Sequence, residues 1–192
     1  MARNREFDPK AALEKAMKLF WKKGYTDTSI DDLVETTGVS RYGLYGEFGS
    51  KRELFLASLD HYQDTAVKEY FGIVEQPGAG LREIRAYCEK LVDIYSQPAG
   101  KLGCLVCNTA TDIAPHDKGV EKKVKFAIER MTAGFGLALK NAKKRGEVRN
   151  DLDIKQAADF LTGTLLGASV MARSGAGKQM IGNTVEMSLA SM

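Results

Sequence analysis

Apolar residues recur three and four positions apart through almost the whole of this 192-residue chain, and no run alternates as a half-buried strand would. That period restricts the fold to packed helices. Leu13, Ala16, Met17, Phe20 and Trp21 form the first stripe, behind Asp8-Pro9, an N-cap followed by proline at the first helical position. Lys22-Lys23-Gly24 closes it, with cations at the negative dipole end and a glycine able to turn left-handed. Ser29 and Ser40 can cap two short helices, ending at Thr37 and near Phe48-Gly49. Ser50-Lys51-Arg52-Glu53 reads as a capping box and starts a long fourth helix with Phe55, Leu59, Tyr62 and Ala66 inward. Further stripes predict helices over 81–95, 104–114, 120–146, 153–175 and 178–191. The expected fold class is all-α with about nine helices.

Composition narrows the function classes. Apolar residues make up 44% and charged residues 28%, which builds a globular core and excludes a disordered chain. No apolar run approaches the roughly 20 residues of a membrane span. The start MARNREFDPK lacks the apolar segment of a signal peptide, so a cytoplasmic protein with no membrane partner is expected. Three cysteines do not make a disulfide scaffold. A net charge of +3 suits a polyanion partner without requiring one.

The stretch 28–55 carries the sharpest signal. Ile30, Leu33 and Val34 brace, Thr37-Gly38-Val39 turns, and Leu44 and Phe48, four apart, can plug into the stripe of the first helix. That leaves Arg41, Tyr42, Gly43 and Tyr45 toward the outer surface. Arg41 can donate two hydrogen bonds to a guanine, and a small residue such as Gly43 lets a short helix approach base edges. Tyr45, Lys51 and the backbone N–H groups at helix starts such as Ser29 and Ser40 suit phosphate oxygens. Spacing alone fits a helical corner of some other all-α protein equally well, with Tyr42 and Tyr45 partly buried. Three short helices in residues 1–50 have the size of a small DNA-binding unit. The cap at Ser50 launches the next helix without a linker, so 1–50 and 51–192 are mechanically joined.

These residues resemble the N-terminal signature of the TetR family of transcriptional repressors. The matching features are Gly24-Tyr25, Thr28-Ser29-Ile30, Gly38-Val39-Ser40, Leu44-Tyr45, Phe48 and Ser50-Lys51-Arg52-Glu53-Leu54-Phe55. The likeness covers 13–55 at the motif level; the rest matches in helix number, lengths and order. It implies a helix-turn-helix unit on a helical ligand-binding and dimerisation domain. It further implies a homodimer reading a palindromic operator on double-stranded DNA, with recognition helices about 34 Å apart. The family's base-reading segment falls on 40–45, and its phosphate contacts on Thr28, Tyr45 and Lys51. This chain departs at Gly46-Glu47, where members usually carry bulky aromatics or histidine. Glu47 would repel phosphate if it faced the backbone; it can instead accept from a cytosine amino group, pair with Arg41 or point away.

GKLGCLVCNTATDIAPHD holds a second constellation. Cys104 follows Gly103 at a helix start, where the positive dipole end favours thiolate, and Cys107 shares its face one turn on as a resolving partner. Two competing readings are small buried hydrophobes, and a metal site drawing on Cys88 and His116, for which a lone CxxC is weak evidence. Some TetR-like repressors carry Gly-Cys-Leu at this place and use that cysteine to sense electrophiles. No metal and no cofactor is expected.

Tyr62, Tyr87, Leu91, Tyr95, Asn108, Phe126, Met131, Phe135 and Phe160 are expected on inward faces. The resemblance implies that such residues, with Cys104, enclose a pocket for a small-molecule inducer or electrophile. Ordinary core packing competes at each position. Gly163 and Gly167 put small residues one turn apart, and with Leu161, Val185 and Leu189 they are expected to build a two-fold, four-helix interface. His61 and His116 have no nucleophile beside them, and no phosphate-cradling loop or HExxH occurs, so no enzyme is expected. The rival reading is an all-α ligand carrier or small enzyme that does not bind DNA.

Overall fold

The computed structural model describes residues 7–192; the start of the chain, read above for a leader segment and included in the 1–50 unit, lies partly outside them. Every regular element among the described residues is helical. α1 (Pro9–Lys23), α2 (Ile30–Thr37) and α3 (Arg41–Phe48) form the small N-terminal unit. α4 (Lys51–Tyr62) continues through a π-helical turn (Gln63–Val67) into Lys68–Phe71. Then come α5 (Leu81–Tyr95), α6 (Leu105–Asp112), α7 (Lys118–Lys144), α8 (Ile154–Arg173) and α9 (Lys178–Ala190). None of the described helices is long and apolar enough to cross a membrane.

The caps explain most boundaries. Asp8 accepts from Lys10 N–H, Ser40 from Gly43 N–H, and Asp153 from Lys155 and Gln156 N–H, each satisfying donors that a helix start leaves open. Gly38 ends α2 at φ 75°, a left-handed turn that an L side chain resists, and this sets the angle between α2 and α3. The box expected at Ser50 forms by half. Ser50 accepts Glu53 N–H at 3.2 Å, while the Glu53 carboxylate lies 3.5 Å from Arg52. A reciprocal box occurs instead at Ser29–Asp32, where aspartate replaces the usual glutamate.

Two apolar cores share the rod that α4 begins, the first taking Leu54 to Tyr62 and the second Phe71. The first joins α1–α3 to the front of α4, α6 and the start of α7; Phe55 packs edge-on to Phe20 at 5.0 Å and tilted to Tyr25 at 4.8 Å. The second packs α5, the rear of α7, α8 and α9 around Phe71, which meets Tyr87 and Phe135 edge-on at 5.1 Å each. Polar ties add to this seam. Arg52 grips Asp117 through two bonds of 2.6 and 2.8 Å, and Asp117 also caps α7 through the N–H groups of Gly119 and Val120. Arg130 makes the same fork with Glu75, tying α7 to the turn that follows the α4 rod.

Three residues expected at a subunit interface belong to the second core. Leu161, Val185 and Leu189 are buried within the protomer, because α8 packs on α7 and α9, and α9 packs on α5. Phe126 and Phe160, expected inward, are 63% and 53% exposed. α7 turns Val124 and Ala127 to the core, and α8 turns Ala157, Ala158 and Leu161, which leaves 126 and 160 on the opposite faces.

Phe55→Ala, at the seam of the first core, is expected to lower unfolding free energy by about 3–5 kcal/mol. Urea denaturation followed by far-UV circular dichroism measures the loss.

Candidate nucleic-acid interface and cysteine pocket

α3 is positioned by its apolar underside. Leu44 is fully buried and Phe48 half-buried against the first core, four residues apart as their spacing predicts. Arg41, Tyr42, Gly46 and Glu47 face outward, with Tyr42 74% exposed. Tyr45 is half-buried against the same core and so is less available than expected. Gly43 is also half-buried. A Cβ there would stand 2.9 Å from Val39 Cγ1, so its small size serves the α2–α3 corner rather than an approach to bases. The outward glycine is Gly46, around whose Cβ position nothing among the described residues lies within 4 Å. Arg41 bridges to Asp31 of α2 at 2.8 Å with both groups exposed, so the Glu47 partner considered above is not the one it takes here.

The expected phosphate contacts divide. Lys51 sits at the α4 start with its Nζ 4.3 Å above the Tyr25 ring, a cation–π seat that leaves the ammonium half-exposed. Burial lowers its pKa. Thr28 is 1% exposed, and its hydroxyl donates to Gly24 O at 2.5 Å, so a phosphate contact from this side chain is ruled out in this conformation. Ser29 is exposed, but its N–H and hydroxyl both donate to the Asp32 carboxylate at 2.7 Å. Lys23 and Ser29 together hold Asp32 well below the usual carboxylate range.

Behind this unit, α4–α8 enclose a cavity of about 80 Å³. Tyr62, Tyr87, Leu91, Tyr95, Cys104 and Met131 line it, as expected; Cys107 does so too. Phe135 is buried beside Phe71 and Tyr87, behind the wall. Asn108 faces an outer cleft and donates to Leu102 O at 2.9 Å. Phe126 lines a surface groove beside α4, so neither it nor Phe160 reaches the cavity. Trp21 and Ser169 are wall residues that sequence reading missed. Trp21 reads as an ordinary member of the α1 stripe, yet it stands edge-on to Tyr62 at 5.0 Å and donates its indole N–H to Gly103 O at 3.2 Å. Ser169 accepts Cys104 N–H at 2.7 Å from 65 residues away, a pairing with no local signal.

Cys104 is the N-cap of α6. The Cys107 thiol and the backbone N–H groups of Cys107 and Val106 stabilise its thiolate, although no N–H caps the sulfur with full hydrogen-bond geometry. The Tyr62 hydroxyl donates as well, at 3.6 Å. These donors outweigh burial and lower the Cys104 thiol to about 6. The same pairing, plus burial, pushes Cys107 up. Cys88 is buried in the second core and raised to about 12. No group of three or more His, Cys, Asp or Glu side chains among the described residues could hold a metal ion. The arrangement is one nucleophilic sulfur facing a small aromatic-walled space, with a protonated thiol beside it.

Iodoacetamide labelling of Cys104 should rise with pH through a midpoint near 6 and level off above about pH 7, since only thiolate reacts. Cys107→Ala removes the first donor and should move that midpoint upward. Mass spectrometry of the adduct across about pH 5 to 8 reads both.

Comparison with known proteins gives concordant matches. A family model described as bacterial regulatory proteins, tetR family, matches residues 12–58, and one described as Tetracyclin repressor-like, C-terminal domain, matches residues 80–184. The chain is 33% identical over 192 aligned residues to the HTH-type transcriptional repressor ComR of Escherichia coli, covering 96% of this chain and 90% of ComR. It is 29% identical over 191 residues to the HTH-type transcriptional regulator YezE of Bacillus subtilis, covering 99% and 98%. Among solved structures it superposes on a cysteine mutant of the regulator CifR complexed with 26-base-pair operator DNA. That match has a TM-score of 0.87 and 25% identity, covering 98% of this chain and 99% of that one.

Proposed function

Since the chain belongs to the TetR family of transcriptional regulators, we propose that it is a cytoplasmic repressor that binds a palindromic operator as a homodimer. Residues 1–50 serve as the DNA-binding unit and 51–192 as the ligand-binding and dimerisation domain. Binding is released when the cavity is filled by a small apolar molecule or when Cys104 is modified by an electrophile. The observation that carries this reading is the outward face of α3: Arg41, Tyr42 and the open backbone at Gly46 lie on a helix whose other side is locked into the core. A helix so presented can lie in a major groove. The carrier or enzyme alternative has no support in relatives that are all transcriptional regulators.

Dimerisation is supported by a second apolar face. Phe160 and Val170 on α8, and Met180 and Met187 on α9, are more than half exposed. Gly163 and Gly167 lie between the first two with nothing among the described residues within 4 Å of their Cβ positions, so another helix can approach closely there. The interface is thus formed by the glycines and these exposed side chains, with Leu161, Val185 and Leu189 behind them.

Release is supported by the cavity's position. About 80 Å³ accommodates a fragment only, so a larger occupant must displace a wall. The wall at Tyr62 adjoins the π-helical turn 63–67, a one-residue offset that an α-helix can absorb, in the same rod that begins at the DNA-binding unit. An adduct on Cys104 acts at the same place. Cys107 is poised to close a disulfide onto an oxidised Cys104.

Operator fragments recovered by selection from genomic DNA provide the test. Affinity should fall steeply with salt, with a log–log slope reduced by about two in Lys51→Gln, one phosphate contact being lost from each protomer. N-ethylmaleimide should weaken binding at least about tenfold in wild type and leave Cys104→Ser unaffected. A response that persists in the Cys104→Ser, Cys107→Ser double variant would end the thiol part of the reading. Gly163→Glu should give monomers in sedimentation velocity.

A further inference from the structure

The loop between α1 and α2 is held from outside the DNA-binding unit. Asp112, the last residue of α6, takes the backbone N–H of Tyr25 at 2.8 Å, that of Thr26 at 3.4 Å and the Thr26 hydroxyl at 2.7 Å. Gly24 stands at φ 88°, and a Cβ there would come within 3.1 Å of Asp112 Oδ2, so glycine lets the loop close onto the carboxylate. Helix stability does not explain this aspartate. The C-terminal end of a helix is the negative end of its dipole, where a carboxylate is disfavoured. Its partners do explain it, because a carboxylate binds such converging donors more strongly than a neutral acceptor does. The loop in turn supports the DNA-facing side. The Tyr25 ring packs on Phe55 and carries the Lys51 ammonium.

We infer that Asp112 is a positioning residue for operator recognition: by pinning residues 24–26 to α6 it fixes the angle at which the DNA-binding unit leaves the core, and hence the separation of the two recognition helices. This rests on the dimeric, palindrome-binding reading above. α6 is an eight-residue strut, about 12 Å long, with Cys104 capping its first turn and Asp112 ending its last. A displacement at the cysteine is delivered to the loop at the other end.

The test compares the selected operator with versions carrying one base pair more or one fewer at the centre. Each change moves the half-sites by about 3.4 Å and turns them by about 35°. Wild type should bind the altered operators at least about tenfold more weakly, and Asp112→Ala and Asp112→Asn should narrow that preference to about threefold or less. Asp112→Glu keeps the charge and should retain part of the preference. Thr26→Val removes one donor from the other side and should shift it in the same direction by less. Partial unfolding lowers binding to all operators alike and leaves their ratio unchanged, so the ratio separates positioning from mere stability. Full wild-type preference in Asp112→Ala and Asp112→Asn overturns the inference while leaving the dimer reading intact. No spacing preference in wild type overturns the dimer reading, and the inference with it.

Discussion

The packing of Phe55 against Phe20 and Tyr25 is the contact on which the rest of the molecule depends. Phe55 is on the rod that enters the large domain; its two partners are in and just after the first helix. Because interiors are packed as densely as crystals, a rod cannot tilt at one end without moving the aromatic rings seated on it. The small unit therefore has no core of its own that ends at residue 50. Leu105, Val106, Val120 and Ala127, from far along the chain, complete it. A helix-turn-helix built this way is oriented by its neighbours as much as by its own turn.

What was legible in the sequence was local. Caps at Asp8, Ser29, Ser40 and Asp153, and the glycine stop at Gly38, are decided within four residues, so they can be read directly. Leu44 and Phe48 fall on one face because helical geometry leaves no other choice. Facing was harder on long helices with apolar residues on more than one side. On α7, Val124 and Phe126 are both apolar, and only the position of α4 decides which one is covered. On α8 the buried Leu161 and the exposed Phe160 are adjacent, and the larger side chain is the one left outside. The clamp at Asp112, the Ser169 bond to Cys104 and the placement of Trp21 depend on residues 65 to 87 positions apart. No periodicity signals such pairs. The π-helical turn after Tyr62 was equally hidden, since its residues suit an ordinary helix.

The two cysteines show how proximity creates unlike roles for like groups. Either thiol alone would be pushed upward by burial. Side by side they shift in opposite directions, Cys104 down and Cys107 up, with the Tyr62 hydroxyl donating to Cys104. The outcome is a single activated sulfur against aromatic walls, while burial in the second core pushes the Cys88 thiol up.

Trp21 is the sole tryptophan of the chain, and its ring forms part of the cavity wall while its backbone belongs to the first helix of the DNA-binding unit. The molecule thus contains one indole fluorophore, at the boundary between its two working parts. Its emission colour and intensity follow the solvent exposure of that boundary, so occupancy of the cavity and undocking of the unit are both visible in unlabelled protein under ultraviolet excitation.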